Sequence, residues 1–346
     1  MTQQERFNAI AAPLLAWYDE NKRDLPWRQN VSPYTTWISE IMLQQTRVAA
    51  VLPYYQRFLE AFPTVEALAN AHEQQLLKLW EGLGYYSRAR NLHKAAKEIV
   101  QRGGFPQTYA DILTLSGIGE YTAGAIASIA FGQKVSAVDG NVLRIAARLG
   151  SFSDNVLDPK FRRTVRERMD EAVSAERPGA FNQALMDLGA TVCLPKNPQC
   201  SQCPLQPMCL AYAQNRQKEL PVRISKTKKR TEELTVFLLL QDGRVALRQR
   251  PDSGLLASLW EYPHTAGALD ETAAAAQLAA WGLTPHHWVK RLQFHHIFTH
   301  IRWEMTGYVV EVSGSGEADW LWADSAERKL RPVPSAFEKL TQELTR

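Results

Sequence analysis

Outside one short stretch this chain has no cysteine at all. Its four, Cys193, Cys200, Cys203 and Cys209, fall within seventeen of its 346 residues, spaced C-x6-C-x2-C-x5-C. That scarcity argues against a disulfide scaffold, because a chain of this length buries ample apolar surface and needs no such staple. No apolar run approaches membrane-spanning length. The N-terminal segment MTQQERFNAIAAPLLAWYDE lacks a basic-then-apolar signal, so no membrane partner is expected. A cytoplasmic location, in a reducing compartment that suits free thiols, is expected instead. No internal repeat or low-complexity tract appears. No histidine lies near the cysteines, which weakens a mixed Cys/His zinc site. A four-thiolate zinc site and a [4Fe-4S] cluster both remain, and with only one C-x2-C pair the cluster fits at least as well.

Net charge is low too. The net +4 is small but uneven: residues 1–215 carry 22 Lys/Arg against 20 Asp/Glu, residues 216–231 carry 7 against 1, and residues 232–346 carry 11 against 15. A basic connector therefore joins two nearly balanced regions. It reads either as a strap that contacts phosphates or as a solvated linker extended by its own charge. The length suggests two domains.

What is present is helical periodicity through the first 215 residues. TTWISEIMLQQTRVAAVLPYYQRFLEAF and EQQLLKLWEGL place apolar residues three and four apart. The N-terminal segment reads as one amphipathic helix with Phe7, Ile10, Leu14 and Trp17 on one side. After the connector the texture changes. LTVFLLLQDGRVALRQR reads as two strands joined at an Asp-Gly turn, ETAAAAQLAAWGL as a helix, HHIFTHIRWEMTGYVVEV as strand, and AFEKLTQEL as a C-terminal helix. The expected architecture is an all-α region over 1–215, a basic linker over 216–233 and an α+β domain over 234–346.

Three constellations carry chemistry. In TYADILTLSGIGEYTAGAIASIAFG, Gly117 and Gly119 form a tight turn between two helices. The turn allows close backbone approach and presents the free N–H groups of the second helix, an arrangement that holds a phosphate without reading sequence. The same pattern also fits a plain helical corner with a glycine cap. Asp139, in AVDGNVLRIAARL, stands where an N-cap is preferred. Glu40 lies inside the apolar helix WISEIMLQQT, where a carboxylate either reaches solvent or has its pKa raised. An acid with a raised pKa beside a carboxylate held ionised at a helix N-terminus is the arrangement of glycosidases.

ISEIMLQQT, GLGYYSRARNL, GIGEYTAGAI, VDGNVLRIAARL, FNQALMDLGATVC and the cysteine spacing together resemble the adenine DNA glycosylase (MutY) family, densely up to about residue 215 and more loosely beyond. The resemblance implies a multidomain protein. One part is an all-α helix-hairpin-helix glycosylase domain with a [4Fe-4S] loop at 193–209, and the other is a Nudix-like α+β domain. It implies removal of adenine from double-stranded DNA opposite 8-oxoguanine and, more weakly, opposite guanine. Glu40 matches the family's general acid, Asp139 the carboxylate that stabilises the sugar cation, and Tyr121 and Asn141 the residues that position acid, sugar and water. Gln45, Leu83 and Tyr85 match residues that wedge into the base stack, and Lys196 is a candidate phosphate contact. Phe298-Thr299-His300 is similar to the family's Phe-Ser-His loop that contacts 8-oxoguanine, with Thr299 keeping the hydroxyl and adding a methyl.

Two further positions carry information. Relatives resembling endonuclease III place a lysine where this chain has Tyr121, and a phenol cannot form their Schiff base. Base removal without efficient strand cleavage is therefore expected. Ser116 replaces a proline common before Gly-x-Gly, which is expected to free that turn slightly. The protein is expected to act as a monomer, with the connector a possible contact for another repair or replication protein. Three rivals were weighed. An endonuclease III-like enzyme is disfavoured by Tyr121 and Asn141. A nucleotide pyrophosphohydrolase is disfavoured because GALDETAAAAQLAAWGL offers only Asp270 and Glu271 for Mg²⁺. A DNA-binding module without activity is disfavoured by the presence of both carboxylates.

Overall fold

A computed structural model describes residues 2–224 and 229–345. The centre of the basic connector, 225–228, and with it part of the partner contact expected there, lies outside the described residues. Contacts group the chain into two units, Met1–Asn70 with Asn91–Ser225, and Ala71–Arg90 with Lys226–Arg346. Among the described residues no helix is long and apolar enough to cross a membrane.

The first unit is helical. It opens with α1 (Gln3–Asn8) and α2 (Ala11–Asn21), so the single N-terminal helix expected from periodicity is broken near Ala9. Phe7, Ile10 and Leu14 are nonetheless fully buried, while Trp17 is half-buried and Tyr18 takes the next core position. Next come α3 (Pro33–Leu43), α4 (Val48–Ala61) and α5 (Val65–Ala69). The segment α6 (Glu73–Leu79) belongs to the second unit, and α7 (Ser87–Gln101) leads back into the first. Then follow α8 (Tyr109–Leu113), α9 (Glu120–Phe131), α10 (Gly140–Leu149), α11 (Pro159–Ala172), α12 (Pro178–Thr191) and the short α13 (Leu210–Ala213).

Helix α3 is started by a reciprocal Ser32–Thr35 cap with proline at its first position. Every residue from Thr36 to Met42 is buried, as expected of a helix that is apolar all round. Helix α10 is similar: Val142 to Leu149 are all buried, and the run includes two arginines. Helix α10 packs with α11 and α12 around a core that contains Phe161, Phe181, Leu185 and Leu188, while α3 packs against α4 and α9.

The second unit is a seven-stranded sheet in the order β3-β2-β1-β6-β5, with β4 on β1 and β7 on β2. Strands β1 (Arg230–Gln241) and β2 (Arg244–Gln249) form the expected hairpin. Asp242 and Gly243 both take positive φ, which a two-residue turn of this twist requires. The short β3 (Trp260–Glu261) and β4 (His264–Ala266) precede α14 (Glu271–Ala280). The long β5 (Leu283–Ile297) pairs antiparallel with β6 (Ile301–Gly314), which runs parallel to β1. Then follow β7 (Leu321–Ala323), α15 (Ser325–Leu330) and α16 (Glu338–Thr341). Alternation along β1 divides the core. Leu234, Val236 and Leu238 face Tyr262, Trp303 and Phe337, whereas Phe237 and Leu239 face Ala274, Leu278 and Tyr308 under α14.

Three details differ from expectation. The stretch from His295 read as one strand is two: β5, which begins about a dozen residues earlier once Gly282, at positive φ, has ended α14, and β6, with the turn Phe298–His300 between them. The C-terminal helix is only four regular residues flanked by 3-10 turns. Residues 71–90, read from sequence as part of an unbroken region 1–215, are tied to the sheet unit by long-range bonds. Lys78 Nζ donates to Arg331 O at 3.2 Å, Val333 N to Glu81 Oε1 at 2.7 Å, and Arg90 Nη1 to Ala257 O at 2.7 Å.

Candidate active site

Glu40 sits on the third turn of α3 and is 5% exposed. Its neighbour across the helix packing is Tyr121, in the first turn of α9. The Tyr121 hydroxyl donates to Glu40 Oε2 at 2.6 Å. Burial pushes the Glu40 carboxyl up to about 7; the Tyr121 bond and Arg28 oppose the rise, and the negative charge of Asp139 adds to it. Burial, with the charges of Glu40 and Asp139, pushes the Tyr121 phenol well above its ordinary value. Tyr121 therefore serves as a neutral donor.

Asp139 is the N-cap of α10. Its Oδ1 accepts from Val142 N at 2.8 Å, and its Oδ2 from Asn141 Nδ2 at 2.8 Å. The capping role is thus real and coexists with a place in the cavity. Burial raises this carboxyl too, against the pull of the helix N–H groups, Asn141 and Arg144. The two carboxyls do not shift in opposite directions as the sequence suggested. They differ in how firmly each is held: Asp139 has three lowering partners where Glu40 has a phenol and a more remote arginine.

Asn141 is fixed from both sides. Arg144 Nη2 donates to Asn141 Oδ1 at 2.9 Å and to Gly189 O at 2.8 Å. A Cβ on Gly189 would lie 2.5 Å from the Asn141 Cβ, so only glycine lets α12 pass this close. Glu40, Tyr121, Asp139 and Asn141 line one cavity of about 530 Å³, together with Trp27, Arg28 and Gln183. Buried Asp187 pairs with Arg28 at 2.7 Å and Arg23 at 2.6 Å. Burial opposes the charge on Arg28, and Asp187 outweighs it, holding the guanidinium above its ordinary pKa. Sequence reading missed Arg28, Arg144, Gln183 and Asp187. The only available signal was two arginines four apart in the otherwise apolar VLRIAARL.

The hairpin turn lies in the same unit. Gly117 has φ +74° and Gly119 caps α9 with no side-chain bond, and both are exposed. Gln45 is exposed and holds a positive φ of 58°, a conformation that non-glycine residues adopt at a cost. Lys196 is exposed beside Asn197, also at positive φ.

The four cysteines line one small cavity with Arg148. Arg148, 2% exposed, donates from Nη1 to Cys193 Sγ at 3.3 Å and to Leu194 O at 2.7 Å, and from Nε to Leu220 O at 2.9 Å. The donor set is all sulfur. Arg148 is positioned to donate to the Cys193 sulfur, and Arg144 Nε donates to the Cys193 carbonyl at 2.8 Å, so two buried cations face this loop, which suits a group of thiolates.

In the second unit, Tyr85, Phe298, Thr299 and His300 line a cavity of about 400 Å³ with Leu255 and Leu256. Tyr85 is 46% exposed at φ 49°, after Gly82 and Gly84 at positive φ. Thr299 Oγ1 lies 3.5 Å from the Tyr85 hydroxyl. Leu83 is buried rather than projecting. Asp270 caps α14 through Ala273 N.

The fold and this site define a base-excision glycosylase of the helix-hairpin-helix class. Residues 38–171 match the HhH-GPD superfamily base excision DNA repair model, and residues 235–343 a NUDIX domain model. The chain belongs to the adenine DNA glycosylase family. It is 36% identical to the adenine DNA glycosylase of Homo sapiens over 96% of this chain and 73% of that protein. It is 40% identical to that of Buchnera aphidicola (strain Bp) over 72% of each chain. It is 37% identical to that of Arabidopsis thaliana over 93% of this chain, but spans only 60% of that relative's length. Among solved structures, a thermostable thymine-DNA glycosylase covers 61% of the chain at 27% identity and a TM-score of 0.55. A trapped endonuclease III–DNA intermediate covers 62% at 24% identity and 0.51, a likeness of fold.

Proposed function

We propose that the protein removes adenine opposite 8-oxoguanine and, more weakly, opposite guanine, leaving an abasic site without efficient strand cleavage. The observation that carries the reading is the Tyr121–Glu40 hydrogen bond at 2.6 Å on a carboxyl raised to about 7. Such a group keeps its proton on a fair fraction of molecules at neutral pH. Tyr121 occupies Oε2, so Oε1 is left to deliver the proton to N7 of a flipped adenine and improve the leaving group. As the C1′–N9 bond breaks, the sugar becomes cationic. Asp139, held by two N–H donors, is the anion that stabilises it, and Asn141 orients both the carboxylate and the attacking water.

Tyr121 also supports the monofunctional reading, since no amine stands there to attack C1′. In the second unit, the apolar cavity with Tyr85, Phe298 and the Thr299 hydroxyl offers stacking surface and a hydrogen-bonding edge, chemistry suited to an oxidised purine. Gln45 and Lys196 are assigned to the stack and the phosphate backbone. The cysteine cavity is assigned to a [4Fe-4S] cluster held by Cys193, Cys200, Cys203 and Cys209, which would supply rigidity to its loop.

Single-turnover cleavage of a duplex with one A opposite 8-oxoguanine, with and without alkali, tests the reading. Breaks only after alkali, formed faster than with A opposite G, are the expected result. Breaks without alkali would reverse the assignment of Tyr121, and equal rates on both partners would remove the 8-oxoguanine preference.

A further inference from the structure

Ser116 was expected to loosen the hairpin turn by replacing a proline. Instead it is held by two bonds to a single carboxylate. Its N–H donates to Glu98 Oε2 at 2.9 Å and its hydroxyl to Glu98 Oε1 at 2.6 Å. Both are charge-assisted and together bidentate, so they fix direction as well as distance. Against the upward push of burial, these bonds, with Lys94 and Arg102, hold the Glu98 carboxyl below its ordinary value, so it is ionised near neutral pH.

Glu98 is not an isolated anchor. Arg102 Nη1 donates to Thr114 Oγ1 at 2.9 Å. At the other end, Asn91 packs so closely on Gly117 that a Cβ there would lie 2.5 Å from the Asn91 Cβ. Positions 91, 98 and 102 are seven and four apart, one stripe of a helix. Helix α7 thus forms a rail along which the hairpin turn is seated at three successive points.

We propose that Glu98 and Ser116 are positioning residues of the phosphate-binding hairpin, with the bidentate Glu98 clamp holding Gly117–Gly119 in the conformation that presents the α9 N–H groups to DNA. The proposal rests on the reading that this hairpin grips the DNA backbone. A proline would hold the turn through its ring; this chain holds it through a neighbouring helix. The sign of the effect makes the clamp testable. Deleting a carboxylate near a polyanion should tighten binding by simple electrostatics, whereas loss of the clamp should weaken it.

The experiment measures binding of the full-length protein to a labelled undamaged duplex across a salt series, and single-turnover cleavage of the mispaired duplex at saturating protein. Glu98→Gln and Ser116→Ala should each weaken binding on the order of tenfold and lower the salt dependence by about one phosphate contact. At saturating protein the cleavage rate should fall by less than the binding does. Ser116→Pro in the Glu98→Gln background should restore binding, because Ser116 does not hold a positive φ and proline needs no acceptor. Unchanged or tighter binding by Glu98→Gln would overturn the clamp, as would failure of Ser116→Pro to rescue it. Gly117→Ala, which collides with Asn91, separates the layers. If it binds DNA normally, the hairpin grip itself is refuted and the clamp with it.

Discussion

Replacing Glu40 by glutamine should inactivate the enzyme and stabilise the protein. A carboxyl lifted from 4.5 to about 7 by burial destabilises the fold once it ionises. Below the unfolded value both states hold the proton and the group is neutral in effect. Between the two values the unfolded chain ionises while the folded one retains its proton, so stability falls as pH rises. Above the folded value the penalty is complete. At 1.36 kcal/mol per unit, the difference amounts to about 3 kcal/mol. Glutamine keeps an oxygen to accept from Tyr121 and never ionises, so it removes the penalty without opening a cavity. For a unit of this size the gain corresponds to a rise of roughly 5–10 °C in the unfolding transition. Calorimetry of both proteins from acid to mildly alkaline pH checks it. The transitions should coincide near pH 4 and separate to a plateau above about 7. Equal transitions at alkaline pH would refute the buried-acid argument, as would a gap that persists unchanged in acid. The wild-type single-turnover rate should correspondingly fall about tenfold per unit above pH 7.

Asp139→Asn keeps a good N-cap and removes a carboxylate whose ionisation burial opposes, so it should unfold no more easily than the wild type, while single-turnover cleavage drops by orders of magnitude; a wild-type rate would reduce Asp139 to a cap. Gly189→Ala forces Asn141 aside and should slow cleavage about tenfold or more with binding of mispaired DNA retained. Arg148→Met leaves buried carbonyls and the Cys193 sulfur without their donor, and should cost about 3 kcal/mol or more and lower the iron content of purified protein measured by elemental analysis. Thr299→Val should narrow the rate difference between 8-oxoguanine and guanine partners, read from paired single-turnover assays, and leave the slower rate on guanine nearly unchanged.

Much of this was legible in the chain because the signals are local. Asp242-Gly243 specifies its own hairpin, the Ser32–Thr35 cap and Pro33 specify where α3 begins, and the Gly-x-Gly turn marks the start of α9. Glu40 could be suspected because an acid in WISEIM has few polar neighbours on its own helix. The partners that make the site work were not legible, because they are distant in sequence. Arg28 meets Asp187 across 159 positions and Arg144 reaches Gly189 across 45. Nothing in SGIGE alone shows that Ser116 has a carboxylate beneath it. Strand β5 was missed for a different reason. Its exposed edge carries Pro285, His286, His287 and Lys290, residues tolerated on an edge strand, so its alternation does not read as apolar.

Asp139, Asn141, Arg144 and Arg148 all lie along α10 or at its cap, and this has a consequence for how the gene can change. One inserted residue turns everything beyond it by about 100°. An insertion between Asn141 and Arg144 would therefore swing both arginines off their acceptors, and Asn141 and the cysteine loop would lose their anchors in one event. Length variation among natural relatives should therefore be missing from 139–148, however freely the individual side chains differ.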